Sequence, residues 1–201
     1  MKLIMSPASP FVRKVRVVAI ETGLQSEIEE VPVMTTPVAT ADAVWAANPL
    51  GKIPALVLDN GRAIYDSRVI TRYLDDRAQA GLYPADRLWD VLTVEATAEG
   101  ILEAAVLMVY EGRVRPVEIH YAPWVEAQWG KAISGVRAIE AGMMDQLAGP
   151  LDMGQIAVGC ALGYLDFRHP SRDWRSEAPA LAAWYEGFSQ RPSMLETLPE
   201  L

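Results

Sequence analysis

The chain of 201 residues has one cysteine and two histidines. A single cysteine excludes an internal disulfide framework and a cysteine-rich zinc site. His120 and His169 lie far apart in sequence, which argues against a histidine metal cluster, so no metal is expected. Basic charge is also short: 18 Lys and Arg stand against 26 Asp and Glu, for a net charge of −8. Such a surface repels phosphate backbones, and nucleic acid is not an expected partner. Long apolar runs are absent. The opening MKLIMSPASPF holds only a brief apolar run before Ser6-Pro7, too short for a signal peptide. The stretch from Ala104 to Tyr110 is too short to cross a bilayer. These shortages together predict a cytoplasmic protein with no membrane partner.

What is present is a globular composition, 51% hydrophobic and 22% charged. It excludes a disordered chain and supplies enough apolar surface for a sizeable core. Charge is unevenly spread. Residues 1–77 carry nine basic and nine acidic side chains, whereas residues 78–201 carry nine and seventeen. The texture changes at the same place. Short β-branched runs alternate with helical stretches before residue 77, and helical patterns continue after Pro84. The Gly- and Pro-bearing segment Gln79–Pro84 reads as a linker. The expected organisation is a first domain over residues 1–77, a linker over 78–86 and an all-helical domain over 87–201.

In the first domain, Lys2–Met5 reads as a buried strand. Ser9 followed by Pro10 is a helix-start signal. The helix places Phe11, Val15, Val18 and Ala19 inward and Arg13, Lys14 and Glu21 toward solvent, with Gly23 at its C-terminal cap. Glu27–Val33 reads as a second strand, followed by a short helix around 41–47. Pro54–Asp59 and Arg62–Tyr65 read as two strands joined through Asn60-Gly61, a hairpin signal because both residues tolerate positive φ. Asp66-Ser67 opens a helix with Val69, Ile70, Tyr73 and Leu74 inward. The order β-α-β then β-β-α predicts a parallel first pair and an antiparallel last pair, compatible with a thioredoxin-like sheet. The second domain reads as helices near 86–111, 117–147, 153–167 and 178–190. Asp152 and Gln155 have the spacing of a capping box.

Three places can carry chemistry. Ser9 opens a helix, where free N–H groups and a partial positive charge stabilise an anion such as a thiolate. A serine hydroxyl there can donate one more hydrogen bond and lower the pKa of a bound thiol; alternatively it is an ordinary cap. Gly51–Leu56 contains Pro54 at a strand start. A cis bond there would free the N–H and C=O of Ile53 for an extended peptide; a trans proline would simply begin an edge strand. Asp66-Ser67, at another helix start, could hold the carboxylate and ammonium of an amino-acid head, or serve only as a cap.

The order and spacing of these three signals resemble the glutathione-binding half of the cytosolic glutathione transferase family. Ser9–Val15, Asn48–Pro54 and Asp66–Ile70 carry the resemblance. Cys160–Arg168 is similar to the buried core helix of bacterial members. The resemblance covers the whole chain and implies an α/β plus all-α fold, a thioredoxin-like domain followed by a helical one. It implies glutathione as co-substrate, no metal, a homodimer and a detoxifying transfer of an alkyl or aryl group to glutathione. Ser9 takes the position beside the sulfur, with Ser6 as the fallback. Ile53, before a cis Pro54, would pair with the cysteinyl part. Asp66 and Ser67 would hold the γ-glutamyl end, and Lys52 could approach a carboxylate. The small hydrophobic electrophile is expected along the long helix through Met108, Tyr110 and Arg113.

Two departures narrow the class. The amino-terminal tyrosine of several animal classes and the cysteine of the bacterial β and ω classes are both missing, which points to a serine-type member and to thiolate conjugation rather than mixed-disulfide chemistry. Cys160 reads as an inert core residue. His120 and His169 read as surface or packed residues. Two other functions fit the same fold. One is a ζ-type glutathione-dependent isomerase, although its double-serine-cysteine pattern is absent. The other is a non-catalytic glutathione-binding or interaction protein.

Overall fold

A strand at the very start of the chain, Lys2–Met5 (β1), organises a four-stranded sheet of order β2-β1-β3-β4. The computed structural model describes residues 1–200, which divide into two units: residues 1–82 with 192–200, and residues 83–191.

In the first unit, β1 leads into helix α1 (Pro10–Glu21) and then into β2 (Glu29–Pro32), which pairs with β1 in parallel. A short helix α2 (Asp42–Ala47) precedes β3 (Ala55–Val57) and β4 (Ala63–Ile64), both antiparallel to their neighbours. Helix α3 (Ser67–Ala78) follows. Side chains alternate across the sheet. Ile4 and Ala55 cluster with Val44 and Ala47 of α2, so Leu3, Met5 and Leu56 occupy the opposite face, all buried. This is the thioredoxin-like arrangement the strand order predicts.

The β3–β4 connection differs in detail from the expected turn. Only Gly61 has positive φ, at 82°. The Gly61 N–H bonds the Leu58 carbonyl at 2.9 Å and the Asn60 side chain accepts from Arg62 N–H at 3.0 Å. Asn60 thus acts through its side chain, not through a left-handed backbone.

The solvent face expected of α1 is covered. Arg13 and Lys14 are buried. For Arg13 the reason lies at the other end of the chain, where α9 (Pro192–Glu196) packs on α1. Arg13 donates to the Met194 carbonyl at 2.9 Å and to the Thr197 hydroxyl at 3.4 Å. Ser193 donates to the Glu21 carboxylate. Residues 192–200, assigned by sequence to the helical domain, therefore belong to the first unit.

The second unit is helical. Its long helix α4 (Leu88–Val114) packs against α5 (Ala122–Gly142) and α7 (Met153–Arg168). The expected continuous helix 117–147 is broken: a 3-10 turn spans Val117–Ile119, α5 starts at Ala122 with Pro123 in its first turn, and α6 (Met144–Leu147) is separate. Proline suits a first turn and no later position. Helix α8 (Pro179–Phe188) closes the unit. No helix among the described residues is long and apolar enough to cross a membrane.

Helix α7 is buried from Met153 to Leu165, as its all-round hydrophobicity requires. Its N-cap Asp152 is fully buried. One oxygen accepts from Gln155 N–H at 3.1 Å, and the other faces Arg87 at 3.4 Å and Gln146 at 3.3 Å. Gln155 does not complete a reciprocal box. Its amide donates instead to the carbonyls of Gln146, Gly149 and Pro150. Replacing Asp152 with Ala should cost roughly 2–3 kcal/mol, from the lost cap and the partners left unsatisfied. A lowered urea midpoint at unchanged slope would show this, with Asp152→Asn, which keeps the cap acceptor, losing less.

Candidate functional site

Sheet register brings the three sequence signals of the first unit to one end of the sheet. Ile4 lies opposite Ala55, and Leu56 opposite Ile64. One further step along the first ladder sets Pro54 next to Met5, and two further steps along the second set Asp66 next to Pro54. The loop Ser6–Ser9, the Ile53-Pro54 dipeptide and the start of α3 therefore share an edge.

Ser9 is the N-cap of α1. Its hydroxyl oxygen accepts from Val12 N–H at a long 3.4 Å, and its own N–H bonds the Ser6 carbonyl at 3.0 Å. Neither the Ser9 hydroxyl hydrogen nor the Phe11 N–H has a protein partner among the described residues. Cap and donor are thus compatible roles: the oxygen accepts from the helix while the hydrogen remains available.

The Ile53–Pro54 bond is cis. The backbone N–H and C=O of half-buried Ile53 make no hydrogen bond among the described residues. Sequence reasoning missed what shapes the preceding turn. Buried Asn48 donates to the Lys52 carbonyl at 2.8 Å and accepts from Leu50 N–H at 2.9 Å. Gly51 has φ of 64°, and a Cβ there would lie 2.7 Å from the Trp45 ring. The Lys52 side chain is exposed beside this turn.

Asp66 caps α3, accepting from Arg68 N–H at 3.1 Å and from the Arg68 guanidinium at 3.0 Å. The Tyr65–Asp66 peptide bond is also cis. Partial burial opposes ionisation of Asp66, but the Arg68 guanidinium, the Arg68 N–H and the charge of Lys14 outweigh it and hold the carboxyl below its ordinary range. Asp66 is an anion at neutral pH, with lone pairs left for a cation. Ser67 is buried, and neither its N–H nor its hydroxyl bonds a protein group among the described residues.

In the second unit, Tyr110 and Arg113 share one face of α4. Met108 lies roughly 200° around the helix from Tyr110 and is buried, so it does not join them. Two residues not singled out by sequence do: Tyr164 and Arg168 of α7, whose charges and hydroxyls act on the same groups. Burial pushes both tyrosine hydroxyls above their ordinary pKa, against the pull of the two arginines, so both remain protonated donors. Cys160 is buried in α7. His120 and His169 each place a ring nitrogen 3.0 Å from a backbone carbonyl, of Arg115 and Ala105 respectively.

Comparison with known proteins matches residues 8–77 to the glutathione S-transferase N-terminal domain family and residues 122–187 to the C-terminal domain family. The uncharacterized GST-like protein YibF of Escherichia coli is 32% identical over 99% of this chain and 98% of its own length. Glutathione S-transferase 3 of Zea mays is 32% identical over 98% and 93%. A glutathione transferase family member from Pseudomonas fluorescens with bound glutathione is 47% identical, covers 100% of this chain and 99% of its own, and superposes with a TM-score of 0.97. A second structure from that source, with bound S-(propanoic acid)-glutathione, is 46% identical over 100% of both chains, with a TM-score of 0.92.

The turn before Ile53 gives a direct test. Asn48→Ala should lower stability by about 1–2 kcal/mol, because it strips two part-buried backbone groups of their partner. A thermal melt of the variant beside the wild-type protein checks the effect.

Proposed function

This chain belongs to the glutathione S-transferase family, and from that premise we propose that it binds glutathione along the shared sheet edge of its first unit and transfers the sulfur to a small electrophile. The observation that carries the reading is the open backbone of Ile53, flanked by unpartnered donors at Ser9 and Ser67. An extended tripeptide has the complementary groups. The Ile53 N–H and C=O pair with the cysteinyl residue. The Ser67 N–H and hydroxyl receive the γ-glutamyl carboxylate, and ionised Asp66 accepts from the γ-glutamyl ammonium. Lys52 lies within the same edge for a second carboxylate.

Ser9 then acts on the sulfur. A hydroxyl donor together with the start of α1 favours the thiolate over the thiol. Lowering the thiol pKa by ~2 units corresponds to roughly 2.7 kcal/mol of differential stabilisation. The thiol proton leaves to solvent and the thiolate attacks an electrophilic carbon. In substitution, a C–S bond forms as the bond to the leaving group breaks, and that group departs with the electron pair. In addition, the C–S bond forms as a C=C π bond opens, and the neighbouring carbon takes a proton from water. The ligand of the second Pseudomonas structure, a glutathione with an alkylated sulfur, has the form of such a product. A homodimer acting in the cytoplasm in detoxification completes the proposal.

Two substitutions separate the roles. Ser9→Ala should reduce kcat with an activated aryl halide by about tenfold or more while the glutathione Kd changes less than about threefold. The absorbance of bound thiolate should titrate at higher pH in the variant; an unchanged titration would leave Ser9 only as a cap. Ser67→Ala should do the reverse, weakening glutathione about tenfold with little loss of kcat at saturation, as calorimetry and steady-state rates would show.

A further inference from the structure

We propose that the second unit binds a carboxylate at the group formed by Arg113 and Arg168 with Tyr110 and Tyr164, so that the electrophile is a small organic acid with an apolar body; the link to an electrophile rests on the transferase reading above. The argument begins with charge pairing. Of the eight arginines between residues 83 and 191, Arg87, Arg115, Arg137, Arg172 and Arg175 face carboxylates. Arg113 and Arg168 face none among the described residues. In a segment where acidic side chains outnumber basic ones, two arginines kept clear of carboxylates mark an electropositive spot.

Their placement is built rather than incidental. Tyr110 and Arg113 are three residues apart on α4, and Tyr164 and Arg168 four apart on α7, spacings that put each pair on one helix face. The two helices pack together, and His169, next to Arg168, is tied to the Ala105 carbonyl of α4 at 3.0 Å. The charges of both Arg113 and Arg168 act on Tyr110. The Arg168 guanidinium lies over the Phe167 ring, 4.1 Å from its centroid. Its Nε–H is buried and has no acceptor. A buried guanidinium N–H without an acceptor is unfavourable, and a carboxylate oxygen would supply one. Two guanidinium groups and two neutral hydroxyl donors match the lone pairs of one carboxylate. The Phe167 ring, 6.4 Å from that of Tyr164, offers an apolar wall for the rest of the molecule.

The test uses the full-length chain and two unreactive probes, 3-nitrobenzoate and the neutral 3-nitrobenzamide, measured by isothermal titration calorimetry. The acid should bind about tenfold tighter than the amide. Arg168→Gln and Arg113→Gln should each reduce that advantage to below about threefold while amide binding holds. Arg113 is exposed, so its variant tests the proposal even where the Arg168 variant does not fold. Equal binding of acid and amide to the wild-type protein would overturn the proposal. Saturating S-methylglutathione should leave the advantage intact; competition would assign the cluster to the carboxylates of glutathione itself and overturn it as well. S-methylglutathione binding on the same sample reports on the transferase reading separately. If that ligand binds and the acid shows no advantage, the carboxylate site fails alone; if that ligand does not bind, the transferase reading fails whatever the probes do.

Discussion

The pairing of β1 with β3, and of β3 with β4, is the constraint from which the candidate site follows. Antiparallel register returns the chain twice to the same end of the sheet. The end of β1, the start of β3 and the end of β4 then lie side by side. A slip of one residue would move the open backbone of Ile53 off this edge and turn Ile4 and Ala55 away from α2. The buried faces of the sheet therefore hold the functional edge in register, and core packing and ligand chemistry depend on one set of hydrogen bonds.

The starts of α1 and α3 each cap part of their own backbone and leave donors over. Pro10 removes one orphan N–H of α1 and Ser9 covers Val12, while the Phe11 N–H stays open. Asp66 covers Arg68 and leaves Ser67. A helix end needs only some of its N–H groups capped by the chain, and the remainder form a ready anion site. The caps and the ligand contacts proposed for them are parts of one arrangement.

Arginine is used in three ways in this chain. Several arginines pair with exposed carboxylates, contacts that contribute little to stability. Arg13 is buried and bonds the backbone of the returning tail, closing the first unit on itself. Arg113 and Arg168 meet tyrosines instead of acids. The net negative charge of the protein makes that last environment informative, because an acidic partner would be the ordinary one.

The strand order, the parallel and antiparallel pairs, the caps Ser9, Asp66 and Asp152, and the buried α7 were legible in the sequence. Each rests on local signals: hydrophobic period, cap chemistry and turn residues. Those signals also placed Ser9, Ile53, Asp66 and Ser67 as candidates. What local signals could not carry was contact between distant segments. Arg13 read as solvated because nothing near it announces that residues 192–200 return to cover it. Asn48 drew no structural reading of its own because its role lies in two bonds across a turn. Tyr164 and Arg168 passed as core and helix exit, since only the packing of α7 on α4 brings them to Tyr110 and Arg113. The sequence by itself determined which elements form and where they begin, through short-range sterics and hydrogen bonding. Tertiary structure alone decided which faces are covered and which charges meet, because those depend on packing between residues far apart along the chain.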